Sequence, residues 1–217
     1  MKAVGYQILL FNMLMIMNMQ AKTDTIDTIG QEPYEQCGYC HEYDGNSLMP
    51  LYPKLAAQQS EYIKKQLKDF RSGKRKGQMQ ATAELLTNKD IDVVANYFSK
   101  QQISNTKKRT LSNGKYAQAE QLFLYGDENR DLIACRSCHG HSAQGNGLTP
   151  RLASQHKNYL IKQLNLFKNG KRDNDRSDQM QAISQKLTEL EIAVLSAYLA
   201  ELSLLDGVVV EGAKLAK

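Results

Sequence analysis

An all-α protein made of two tandem copies of one small helical domain is the architecture this sequence predicts. Three observations carry the prediction: a gapless internal repeat, apolar residues recurring at helical spacing, and a near absence of strand signals. Residues 55–75, L-A-A-Q-Q-S-E-Y-I-K-K-Q-L-K-D-F-R-S-G-K-R, align against residues 152–172, L-A-S-Q-H-K-N-Y-L-I-K-Q-L-N-L-F-K-N-G-K-R, with eleven of 21 positions identical. That is too many for two unrelated amphipathic helices. Gln78-Met79-Gln80-Ala81 then matches Gln179-Met180-Gln181-Ala182. A repeat of this length decides the architecture before any single element does.

The elements follow in chain order. Residues 1–21 read as an export signal: Lys2, an apolar run through Ile8, Leu9, Leu10 and Phe11 to Met19, then Gln20-Ala21 as a cleavage point. Gln7, Asn12 and Asn18 interrupt the run, which disfavours a membrane span; retention as an anchor is the alternative. The first domain is placed at residues 28–103, opening with a short helix over roughly 28–36 that Pro33 limits. Tyr62, Ile63, Gln66, Leu67 and Phe70 recur at helical spacing, as do Tyr159, Leu160, Gln163, Leu164 and Phe167, and Gly73 and Gly170 are the stops. Thr87 and Thr188 read as N-caps, the second with a full Thr-x-x-Glu capping box. The helices that follow bury Ile91, Val94, Ala95 and Phe98, and Ile192, Leu195, Tyr198 and Leu199. Polar residues 104–112 form a linker, 113–203 the second domain, with a helix over Ala117–Tyr125, and 204–217 a tail.

The chain's 217 residues leave each domain small and marginal on a side-chain core alone. Its net charge of +5 does not point to nucleic acid. Residues 28–103 hold ten basic and nine acidic residues and 113–203 eleven and ten, so the excess sits in Lys107-Lys108-Arg109 of the linker. No basic stripe with interleaved aromatics appears.

The chemistry lies in Cys37-Gly38-Tyr39-Cys40-His41 and Cys135-Arg136-Ser137-Cys138-His139, which use all four cysteines. Cys-x-x-Cys-His is the covalent haem attachment pattern: each thiol joins one vinyl group and the adjacent histidine binds iron. One copy alone would also fit a redox disulfide or half a zinc site. Two copies with no cysteine left over point to two covalently bound haem c groups, which would complete the two small cores.

Iron in an electron carrier takes a second axial ligand. Of the four histidines, His41 is alone in the first domain, so methionine is the candidate. Met79 and Met180 occupy matching repeat positions, in loops between the repeat helices. Met180 is the second domain's single methionine, while Met49 follows His41 by only eight residues. The expected iron ligands are therefore His41 with Met79 and His139 with Met180. His141 and His156 are expected at the surface without a ligand role. Thioether ligation raises the potential and fills the iron's coordination sphere, favouring electron transfer over catalysis.

With these residues in place, the chain resembles the cytochrome c4 family over about residues 28–203. The resemblance rests on the paired attachment motifs, Asp44-Gly45-Asn46-Ser47, Tyr52-Pro53-Lys54-Leu55-Ala56, the stretch from Gln66-Leu67 to Gly73-Lys74-Arg75, and the Met79 and Met180 segments. It implies two class I cytochrome c domains about a pseudo-twofold axis, a periplasmic location and electron shuttling toward a terminal oxidase. A quinol-oxidising cytochrome complex would be the donor and a haem-copper oxidase the acceptor. The location leaves peripheral membrane association open. It also implies that the Pro53 and Pro150 carbonyls accept from the proximal histidines. Glu42 departs from the family by replacing the glycine usual after the first histidine. Competing functions are the cytochrome subunit of an oxidoreductase complex, such as a flavocytochrome sulfide dehydrogenase, and a di-haem peroxidase, which the paired methionines disfavour.

Overall fold

The structure, a computed structural model, describes residues 32–104, 114 and 116–204. The export signal, residues 105–112 of the linker and the tail beyond 204 lie outside them. Nine α-helices are described: α1 (Pro33–His41), α2 (Ser60–Arg71), α3 (Met79–Glu84), α4 (Asn88–Lys100), α5 (Ala117–Tyr125), α6 (Arg136–His139), α7 (Lys157–Lys168), α8 (Gln179–Gln185) and α9 (Glu189–Glu201). Two isolated bridges, Asp127 with Leu132 and Asn146 with Thr149, are the only β pairing among the described residues.

The two halves use the same plan. In the first, α2 packs against α3 and α4, and α1 against α4; in the second, α7 packs against α8 and α9, and α5 against α9. The residues expected inside are inside: Ile63, Leu67, Ile91, Val94, Ala95 and Phe98 form the first core. Leu160, Ile192, Leu195, Tyr198 and Leu199 join Phe123, Leu122 and Leu132 in a larger second one. Gly73 and Gly170 follow α2 and α7 at φ 73° and 64°, where a side chain would be strained.

Local chemistry extends the sequence reading at three points. Thr87 forms a complete capping box through Asp90, matching that of Thr188 and Glu191, because an aspartate at N3 reaches back as a glutamate does. The first helix runs on from Pro33 through Cys37 to His41 rather than stopping at Gln36, with proline in the opening turn, where its missing N–H costs nothing. Third, Met79 and Met180 lie in the first turns of α3 and α8, not in loops; six and seven residues are too short to show periodicity.

The repeats meet in a reciprocal interface whose partners are related by a constant offset in the sequence. The Lys54 N–H donates to Gln155 Oε1 at 2.8 Å, and Gln155 Nε2 donates to the Lys54 carbonyl at 3.0 Å. The mirror pair joins Arg151 N–H to Gln58 Oε1 at 2.7 Å and Gln58 Nε2 to the Arg151 carbonyl at 3.1 Å. Beside it, Gln163 Oε1 accepts from both Arg75 and Arg172, and Gln66 Oε1 accepts from the same two arginines and from Asn174. Tyr62 and Tyr159 take one further bond each from Arg172 and Arg75. Each guanidinium also lies over a phenylalanine of its own repeat, Phe70 or Phe167.

Candidate haem sites

The first attachment motif rides on α1. Its helical turn places Cys37 half-buried against the first core, which Met79 also packs against, and leaves Cys40 exposed. In the second repeat the helix is split. A 3₁₀ turn (Glu128–Arg130) and the Asp127–Leu132 bridge separate α5 from α6, which carries Cys138 and His139, with Cys135 as its N-cap. Cys135 packs against the second core and Cys138 is exposed. All four thiols are unpaired. Among the described residues no three His, Cys, Asp or Glu side chains converge on a metal-sized point, so the two motifs do not join into a four-thiolate zinc site.

Burial pushes the Cys37 and Cys135 thiols up to about 11. A redox dithiol needs its nucleophilic cysteine shifted the other way. These thiols instead sit beside apolar surface, the setting in which a porphyrin edge is held.

His41 and His139 are 4% and 6% exposed. Each ring turns Nδ1 to a proline carbonyl, Pro53 at 2.8 Å and Pro150 at 2.9 Å, as the family resemblance implies. Burial lowers both histidines' pKa, and the carbonyls oppose that only partly. The rings are thus neutral at pH 7, with Nδ1–H donating and Nε2 as the lone-pair nitrogen an iron requires. The buried interface supplies a second test of fit. It gathers Arg75, Arg172, Arg151, Lys54 and Lys65, with Asp69 as the carboxylate of the described network. Such an excess of positive charge suits a group bearing carboxylates, as haem does. The donor set and its surroundings fit haem at both sites.

Met79 opens α3, half-buried. Met180 is half-buried too, and its backbone N–H donates to Asp175 Oδ2 at 2.6 Å. That contact exists because the second segment carries extra residues, folded as a 3₁₀ turn (Arg176–Asp178) with Ser177 and Asp178 at positive φ. Met49 is 50% exposed and His141 is exposed. His156 departs from the surface role expected of it. It is half-buried at the N-cap of α7 and donates from Nε2 to the Ser47 carbonyl, 2.8 Å away in the other repeat. A lone histidine beside a glutamine carries no periodic signal that would mark it as an interface residue.

Glu42 and Gly140, which follow the two histidines, both take left-handed backbone, φ 61° and 83°. Glu42 therefore occupies a glycine conformation, which explains the family preference it breaks. Sequence reasoning missed the functional surroundings most at Gln58, Gln155 and Asp175. The two glutamines matched in the repeat, and that retained polarity was the available signal.

Comparison with known proteins converges on one answer. The family model for cytochrome c matches residues 116–203. Cytochrome c4 of Pseudomonas aeruginosa is 37% identical over 174 residues, 78% of this chain and 85% of that protein. A thiosulfate dehydrogenase electron acceptor of Stutzerimonas stutzeri is 31% identical, over 86% and 90%. The crystal structure of reduced recombinant cytochrome c4 from Pseudomonas stutzeri superposes with a TM-score of 0.72 at 34% identity, covering 79% of this chain and 97% of that one. Two helical cytochrome c domains, each with its attachment motif, define a c-type cytochrome with two covalently bound haems, an electron carrier rather than an enzyme. The chain belongs to the cytochrome c4 family.

Proposed function

We propose that this protein is a periplasmic shuttle that passes single electrons along a respiratory chain toward a terminal oxidase. A quinol-oxidising cytochrome complex is the donor and a haem-copper oxidase the acceptor. Cys37 and Cys40 would hold the first haem and Cys135 and Cys138 the second, and His41 with Met79, and His139 with Met180, would bind the two irons. Bound haem supplies a one-electron couple at iron. Around it, the Pro53 and Pro150 carbonyls fix the two imidazoles, the short helices α3 and α8 present the methionines, and the buried cores exclude water. The observation that carries the reading is the same histidine-to-proline-carbonyl contact built twice, at 2.8 and 2.9 Å. Among the described residues no helix is long and apolar enough to cross a membrane.

A second reading makes the protein the electron acceptor of a sulfur-oxidising dehydrogenase. Two relatives bear the name thiosulfate dehydrogenase electron acceptor, and the TsdBA thiosulfate dehydrogenase of Marichromatium purpuratum contains a stretch matching 76% of this chain at a TM-score of 0.68. A flavocytochrome sulfide dehydrogenase is the alternative partner of the same class. Purification from the native membrane fraction separates these readings: a terminal oxidase reduced by this protein supports the first, a co-purifying dehydrogenase the second. For the ligands, Met79→His and Met180→His should each keep the haem, lower one potential and halve the sulfur-to-iron charge-transfer band. An unchanged spectrum in either variant would remove that methionine from the assignment.

A further inference from the structure

The carbonyl that orients each proximal histidine belongs to a peptide unit whose other end is gripped from the opposite repeat. The Pro53 carbonyl accepts from His41, and the N–H of the same peptide, that of Lys54, donates to Gln155 Oε1. In mirror image, the Pro150 carbonyl accepts from His139, and the Arg151 N–H donates to Gln58 Oε1. We infer that Gln58 and Gln155 are positioning residues acting in trans, each setting the proximal hydrogen bond, and so the potential, of the other repeat's haem.

The physics runs through the amide. An amide whose N–H is hydrogen-bonded carries more negative charge on its oxygen, and bonds in such a chain strengthen one another by roughly 10–30%. A stronger acceptor draws the Nδ1 proton further from the ring, makes the imidazole a more electron-rich ligand and favours ferric iron. Loss of the glutamine acceptor therefore raises the potential of the haem across the interface.

Three features make these glutamines more than surface filler. Both are buried, 5% and 3% exposed. Each binds both the N–H and the carbonyl of one residue, so the backbone N–H fixes which side-chain atom is oxygen. Each Oε1 also accepts the N–H of the next residue, Gln59 or His156 at 3.0 Å, which locks its direction at the start of α2 or α7. The same arrangement twice, between pseudo-symmetric partners, links the interface to both iron sites.

The inference rests on His41 and His139 as iron ligands, which the histidine signals of the unmodified holoprotein test on their own. Gln155→Met removes the acceptor at similar volume; Gln155→Glu keeps an acceptor and makes it anionic. In the full two-haem protein, Gln155→Met should raise the reduction equilibrium constant of the first haem about two- to threefold and leave the second in place. Three-fold corresponds to ~28 mV at 59 mV per tenfold. Gln155→Glu should lower it, and Gln58→Met should raise the second haem instead. In the diamagnetic reduced protein the His41 Nδ1–H resonance should move upfield in Gln155→Met while that of His139 stays. No movement at the first haem, equal movement of both, or shifts of one sign for Met and Glu would overturn the inference. Were Gln155→Met not to assemble, the sign of the Gln155→Glu shift decides alone.

Discussion

Replacing Asp175 by Asn should raise the potential of the second haem and leave the first where it is. Asp175 Oδ2 accepts the Met180 N–H at 2.6 Å, and its Oδ1 is buried with no hydrogen-bond partner among the described residues. A carboxylate is thus held beside the proposed iron-binding methionine, and the first repeat has no counterpart: there the segment, Lys74 to Gln78, is shorter and holds no acidic residue. Arg75 is buried in the interface, and Arg172 sits there as its mirror image, so those two cancel. Of the three aspartates that the second segment alone carries, Asp173, Asp175 and Asp178, Asp175 is the one bonded to the methionine's backbone. For a charge separation of ~8 Å, taken for a carboxylate bonded to the backbone of an iron-binding residue, and an effective dielectric of ~20–40 for a half-buried loop, one negative charge is worth ~1–2 kcal/mol. For one electron that is ~45–90 mV, reduced by salt to the extent that water enters the loop. Asn keeps the acceptor for Met180, so the segment holds its shape and only the charge leaves. A spectroelectrochemical titration resolving both haems, at low and high ionic strength, reads the result. A second-haem potential that stays put or falls, or a first haem that moves with it, would refute the reasoning.

Three further outcomes are expected. Glu42→Gly should stabilise the holoprotein by about 0.5–1 kcal/mol, since a left-handed Glu costs more than the chain entropy glycine adds; thermal unfolding measures it, and Gly140→Ala should do the reverse. Glu191 is held down to about 2, chiefly by Arg130, with Thr188 adding to the effect. A depressed folded pKa contributes stability that is present above the ordinary glutamate value and is lost as pH falls from about 4.5 toward 2. Glu191→Gln should therefore flatten the acid limb of a stability profile measured by urea unfolding. Gln163→Leu removes an acceptor shared by Arg75 and Arg172 in a buried site, which should cost about 2–3 kcal/mol in the same assay and leave both attachment sites loaded.

What could be read from the sequence divides along a physical line. The cysteines and histidines were legible because covalent attachment fixes their spacing locally, and the duplicated helices were legible because twelve or more residues show a period. Helices α3 and α8 were not, being shorter than two turns. The interface was half legible. Gln66 and Gln163 fall among the apolar residues of α2 and α7, and a polar residue kept on an apolar face in both copies asks for a buried partner. The sequence of one copy does not say that the partner is the other copy, because Arg75 and Arg172 look like ordinary helix-end cations until the two repeats are brought face to face. Once they are, each arginine spans both glutamines, and removing either glutamine leaves buried donors short of an acceptor. Here the duplicated domain closes that network against its own copy. The polar residues that survived in both repeats are therefore the ones that specify how the two haem domains meet, while the apolar ones specify only that each folds.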